Sequence, residues 1–224
     1  MSEQVYLGDY WPFFWTGLRQ FQYSTPDGAV APFTTNFYLD GNHSSMVQEN
    51  YDPDGKFLNK WYMQIRIGFG VAEWRDDTND GKVIVFDDPI GWGNVQDVPG
   101  TYECTATVDF FQSIPPFFGS CTQTVNYEEL LPTFTTWHGD TFESVLVQSY
   151  YQNWNGKISA TRYWLAKGVG PVATQFIIQQ PDGSFVTYER SDAKVVNFNE
   201  QEKHDMLIAR AENHPHPGKF IKVA

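Results

Sequence analysis

The sequence is short of positive charge, of cysteine and of long apolar runs. Across its 224 residues, 15 Lys and Arg stand against 27 Asp and Glu, a formal net charge of −12. A nucleic-acid binder draws much of its affinity from basic side chains on phosphates, so no nucleic-acid partner is expected. No stretch approaches the roughly 18 apolar residues of a spanning helix, so no membrane span is expected either. Met1-Ser2-Glu3-Gln4 has no basic leader, and Gly8, Asp9 and Pro12 break the run that follows. The reading is a cytoplasmic protein, or an exported one whose signal has been removed.

Catalytic and cofactor signatures are also missing. There is no Gly-x-Ser-x-Gly nucleophile motif. Gly68-Phe69-Gly70 and Gly168-Val169-Gly170 lack the further glycine and helix that a phosphate-binding loop needs. No cofactor is called for.

The two cysteines are Cys104 and Cys121. The segment between them centres on Ser113-Ile114-Pro115-Pro116, which reads as a turn. A fold about residues 112 and 113 sets Cys104 opposite Cys121, so a hairpin with a cross-strand disulfide is expected. The plainer alternative is two reduced thiols in neighbouring strands. A disulfide would favour export to a periplasmic or extracellular space.

What the chain has in quantity is aromatic residues: 18 Phe, 12 Tyr and 8 Trp, 17% of the total. So much ring surface demands burial and speaks against disorder. Asp27-Gly28, Asp40-Gly41, Asp54-Gly55, Asp80-Gly81, Asn155-Gly156 and Asp182-Gly183 punctuate aromatic and β-branched runs. Such dipeptides supply the positive φ of tight hairpin turns.

Strands are expected near Leu18–Tyr23, Thr34–Leu39, Ser45–Asn50, Trp61–Arg66, Gly70–Arg75 and Val83–Asp87. Others follow near Tyr102–Phe110, Gln123–Tyr127, Phe142–Asn153, Ile158–Ala166, Ala173–Gln179 and Phe185–Arg190. Short links between them predict a single all-β domain over 1–224. Its form is an antiparallel, strongly curved sheet or barrel, with a two-sheet jelly roll as the alternative. One C-terminal helix is expected over about 199–213, from Asn199 as N-cap with Glu202 three residues on.

Two segments carry a resemblance. Tyr10-Trp11-Pro12 leads into Gly17-Leu18-Arg19-Gln20-Phe21-Gln22-Tyr23. Leu131-Pro132 and Gly139-Asp140-Thr141-Phe142-Glu143-Ser144-Val145-Leu146 lead into Tyr163-Trp164-Leu165-Ala166-Lys167-Gly168-Val169-Gly170-Pro171-Val172. These runs resemble the opening and closing halves of uncharacterised bacterial secreted or lipid-anchored β-rich proteins. The resemblance implies a β architecture and export, and it transfers no active-site residue.

Asp76-Asp77-Thr78-Asn79-Asp80-Gly81 has the look of a Ca²⁺ loop, with Asp87 at the twelfth position. An acidic hairpin turn is the plainer reading, because Val83–Phe86 reads as a strand. His204, His214 and His216 are too few for a convincing site on an extended tail, so no metal is expected. Glu73, Glu103, Glu143 and Glu189 all fall within expected strands. Paired strand carboxylates can do proton transfer. In an enzyme, the catalytic group would be Glu73 and Glu143, helped by Tyr62 or His138. For any one of them a solvated strand position is the simpler account.

Consecutive aromatics on a strand point to opposite faces, so the rings cannot all enter one core. Some should line a pocket, a groove or a homo-oligomer interface. Trp61, Trp92, Trp137, Tyr151 and Trp164 are the candidate ligand-binding residues, for an apolar small molecule or a glycan. Three function classes follow. The leading one is non-catalytic binding in an aromatic-lined cleft. The others are a carbohydrate-active or small-molecule-converting enzyme, and a structural subunit of an exported assembly.

Overall fold

A computed structural model describes residues 3–11, 18–28, 31–40, 45–66, 70–79, 81–108, 119–154 and 156–197. The first strands are β1 (Glu3–Tyr6), β2 (Arg19–Ser24), β3 (Phe33–Leu39), β4 (Met46–Tyr51), β5 (Phe57–Arg66), β6 (Gly70–Thr78) and β7 (Val83–Gly93). The remainder are β8 (Val95–Val98), β9 (Gly100–Val108), β10 (Gly119–Thr135), β11 (Thr141–Trp154), β12 (Lys157–Ala166), β13 (Gly170–Gln179), β14 (Phe185–Thr187) and β15 (Ser191–Asn197). A 3-10 turn spans Leu7–Asp9.

Twelve antiparallel strands close a barrel in the order β2-β3-β4-β5-β6-β7-β9-β10-β11-β12-β13-β15, with β15 returning to β2. One closed ring replaces the two sheets of a jelly roll. Eleven of the twelve expected strands form the wall. The twelfth, at 185–190, is the short β14, which pairs with β13 at Ile177–Gln179. β15 follows it along the same edge of β13, at Ala173 and Thr174, and carries the wall on to β2. The expected helix over 199–213 lies outside the described residues.

Local sequence explains the hairpins. Gly28, Gly55, Gly81, Gly156 and Gly183 all have positive φ, as their turn dipeptides require. At Asp80-Gly81, Gly81 N donates to Thr78 O at 3.1 Å and Thr78 N donates to Lys82 O at 2.9 Å. Asp76, Asp77 and Thr78 are the last residues of β6, and the turn to β7 is closed between Thr78 and Lys82. No metal-ligating cluster occurs among the described residues.

The inner face combines the aromatic and aliphatic core with buried Gln, Asn, Thr and carboxyl side chains, and the outer face of β3–β6 is polar. Asn36, Glu49, Lys60 and Asp77 form one cross-strand row on the outer face of β3–β6. Glu49 accepts from the Tyr38 and Tyr51 hydroxyls at 2.5 and 3.0 Å and pairs with Lys60. The outward face of a lipid-facing barrel is an apolar band, unlike this row. No helix among the described residues is long and apolar enough to cross a membrane.

Barrel size sets a packing problem. Strands about 4.8 Å apart, tilted about 40°, put a circular twelve-strand wall roughly 24 Å across, whereas two facing layers of side chains fill about 10 Å. The segment before β2 fills one end. Leu7, Tyr10 and Trp11 are buried there with Phe21, Phe37, Met46, Met63 and Trp92. Leu7 N donates to Asn94 O (2.8 Å), Gly168 N donates to Asp9 O (2.7 Å), and Lys167 pairs with Asp9 at 3.4 Å. The Trp11 ring lies 5.5 Å from Trp92 and 5.9 Å from Tyr163. This plug gives the lumen an aromatic floor. The turns around Gly55, Gly81, Gly156 and Gly183 bound the other end.

The β10–β11 hairpin is fastened outside the wall. Trp137 N donates to Asp192 Oδ2 at 2.8 Å, and its indole Nε1 donates to Ser24 O at 2.9 Å. The Arg190 guanidinium lies over the rings of Phe134 (4.8 Å) and Trp164 (5.4 Å).

Candidate ligand site in the barrel lumen

A β-bulge builds the first wall of the site. Glu73 and Asp76 are three residues apart, so regular alternation would send them to opposite faces. In β6, however, Met63 of β5 pairs with Glu73 while the preceding Tyr62 pairs with Arg75. Trp74 is the extra residue. Its indole turns outward, 5.8 Å from Tyr62, and donates to Ser45 Oγ at 3.0 Å. The extra residue resets the alternation, and both carboxyls then face inward. Bulges commonly re-aim side chains in this way. Asp77 is left on the outer face, bound by Arg75 at 2.7 Å.

Burial decides the chemistry of this pair. Glu73 is 4% exposed, beside Met63 and Ile90. Burial, reinforced by Asp76, holds its carboxyl well above the usual range. Asp76 lies opposite Trp61, which lies opposite Gln48 on β4. Burial first, then the charge of Asp77, pushes Asp76 up to about 7.

The facing wall comes from β10, β11 and β12. Gln148 sits between Tyr127 and Tyr163, and Tyr150 between Val125 and Thr161. The Tyr150 ring meets Trp92 edge-on at 4.6 Å. Burial raises both tyrosines, Tyr150 to about 12, and the charge of Glu73 adds to both shifts. The two walls therefore share one electrostatic space.

Within that space several polar atoms are buried with no hydrogen-bond partner among the described residues. They are Gln48 Oε1, Asp76 Oδ1, both amide atoms of Gln148, and the indole nitrogens of Trp11 and Trp92. Thr174 and Ser191 add two hydroxyls. By contrast, Gln123 is satisfied, donating to Gly91 O at 2.6 Å and accepting from Gln152 at 2.9 Å. Buried polar groups are nearly always paired, so a concentration of unpaired ones marks a place where something else bonds to them.

No protein-family model matches this chain, and no curated protein matches it. A crystal structure of a candidate lipoprotein from Parabacteroides distasonis ATCC 8503 is similar at 12% identity and a TM-score of 0.41, over 82% of this chain and 96% of that one. A likeness at that level carries over neither fold nor function. The lumen must be read from its own residues.

The four candidate catalytic residues do not converge. Glu73 is in the lumen. Tyr62 is on the outer face, donating to Asp77 at 3.3 Å. Glu143 is exposed on the outlying part of β11. His138 sits in the turn after β10, against Trp137 at 3.6 Å. Glu103 and Glu189 are exposed. Of the five candidate ligand-binding aromatics, Trp61 and Trp92 face inward. Tyr151 lies on the outer side of β11, Trp164 lies under Arg190, and Trp137 fastens the hairpin. Sequence reasoning missed Gln48, Asp76 and Gln148, since glutamines in strands carry no signal of their own.

The cysteine expectation is corrected. β9 and β10 do pair, but Cys104 lies opposite Gln123 and Cys121 opposite Ala106. The ladder is offset by two residues from a fold about 112 and 113. Both thiols are free. Cys104 instead accepts from Gly91 N at 3.2 Å, and burial pushes Cys121 up to about 12. The disulfide argument for export falls with the disulfide.

Proposed function

We propose that the protein binds a small molecule in the barrel lumen, above the Trp11–Trp92 floor, without transforming it. The observation that carries this reading is the bulge-placed pair Glu73 and Asp76 on the inner face of a wall whose inner side also carries buried, unpaired amide and indole groups. Rings of Trp61, Trp92, Tyr150 and Tyr163 supply flat apolar contact, and the unpaired groups supply orientation. That mixture favours a ligand carrying polar groups over the wholly apolar one the sequence also allowed.

A second reading has a specific support. An acid raised to about 7 beside a second buried carboxyl is poised for proton transfer. An enzyme built on Glu73 and Asp76 would turn its ligand over, and a binding protein would return it unchanged.

Native mass spectrometry of the purified protein tests both readings. The expected result is a non-covalent adduct of small-molecule mass, recovered chemically unchanged. A thermal-shift screen of sugars, amines and aromatic acids supplies ligands if none co-purifies. No adduct and no thermal shift with any class would overturn the proposal. Conversion of the bound compound would replace it with the catalytic reading.

A further inference from the structure

Resting on the lumen-binding reading, we infer that the ligand is an organic cation, an amine whose ammonium group lies between Glu73 and Asp76 with its carbon skeleton against Trp61, Trp92 and Tyr150.

The charge distribution leads to this class. Two carboxyls are turned inward by a bulge, and Asp76 Oδ1 is buried with no hydrogen-bond partner among the described residues. Ion pairs among the described residues lie elsewhere. Lys60 holds Glu49, Arg75 holds Asp77, Arg162 holds Glu128, Lys167 holds Asp9 and Arg190 holds Asp192. The one inward-facing base among the described residues, Arg19, lies at the plugged end of β2, opposite Phe37. Enclosing an uncompensated carboxylate is costly, and the pair by itself avoids that cost by holding protons; a positive group supplied from outside would let both carboxyls ionise in place.

Three further features fit that group. Gln48 and Gln148 are each more than nine-tenths buried on the inner face of the wall, and each has an unpaired amide oxygen. Ammonium hydrogens beyond those bound by the two carboxyls would find these acceptors. The aromatic faces favour cations directly through their negative π surface. The chain's net charge of −12 also draws cations toward the protein before any contact forms. A sugar would use the amides and rings but gains nothing from two carboxyls held side by side.

The test is isothermal titration calorimetry on the full chain with charged and neutral partners of matched shape. The cations are 2-phenylethylamine, choline and spermidine; the neutral matches are 2-phenylethanol, 3,3-dimethylbutanol and 1,8-octanediol. At least one cation should bind ten-fold or more tighter than its match. Asp76→Asn alone should reduce that preference, and Glu73→Gln with Asp76→Asn should abolish it. The outer-wall control Glu128→Gln should leave it unchanged, and circular dichroism checks each variant's fold. Equal binding of cation and match, or a preference that survives in the double variant, would overturn the cation inference while leaving lumen binding in place. Binding of none of the six would overturn the cation inference, and the lumen reading falls with it if native mass spectrometry and the wider thermal-shift screen also find no ligand.

Discussion

Replacing Asp76 by Asn should stabilise the protein, and increasingly so as pH rises. In the folded barrel this carboxyl is raised from 3.8 to about 7 by burial and by Asp77. Between those values the folded chain keeps a proton that the unfolded chain has lost. Stability therefore declines as pH climbs through this window and levels off above the folded value. The full penalty is about 4 kcal/mol, of which roughly 2–3 kcal/mol accumulates between pH 5 and 8. For a domain of this size that is about 5–10 °C of melting temperature. Asn has the same shape and no charge to desolvate. Groups such as Glu49, whose carboxyl is lowered by Lys60 and two tyrosines, pull stability the other way as pH falls. The readout is therefore the difference between variant and wild type, by scanning fluorimetry in buffers of matched ionic strength. That difference should widen steadily from pH 5 to pH 8. Parallel curves, or a variant less stable than wild type at pH 8, would refute the burial argument.

Other outcomes follow from the same packing. Trp11→Ala should cost about 3–5 kcal/mol in urea unfolding, because it opens a cavity in the lumen floor; a cost under 1 kcal/mol would show that the plug is dispensable. Gly70→Ala should be as severe, since φ is +66° and an added Cβ would land inside the Gly93 carbonyl; normal stability there would contradict the close approach of β6 and β7. A thiol reagent should find both cysteines in denaturant, while in the folded protein Cys121 stays inert at pH 8, being enclosed and raised to about 12. Arg190→Ala should loosen the hairpin tip and speed proteolysis at residues 136–140, leaving the melting temperature within a few degrees.

The turns were the most legible part of the fold in the sequence. Asp-Gly and Asn-Gly fix a positive φ by local chemistry alone, and the five described turns of this kind lie where those dipeptides are. Strand positions between them followed from β-branched and aromatic content. Pairing register did not, because the offset between Cys104 and Cys121 is set by whole ladders rather than by the loop's midpoint. β15 was invisible for a related reason. Ser191-Asp192-Ala193-Lys194 is polar and becomes a strand through its neighbours on both sides. The site was hardest to see. Glu73 was singled out on strand position, but Asp76 read as part of an acidic turn. A spacing of three unites the two only through the bulge at Trp74, and no residue type announces a bulge of that kind.

The seam between β15 and β2 has a consequence for synthesis. Ser24 pairs with Asp192 and Tyr23 with Ala193. Until residues near 192 have left the ribosome, β2 and β13 are both open edges, each displaying a row of unsatisfied backbone groups. Ring closure of this kind, between strands so distant in sequence, is slow. The nascent chain thus spends most of its translation as an incomplete, aggregation-prone sheet. Truncation just before Ser191 would arrest it in that state, which makes a short and unremarkable strand the last condition for solubility.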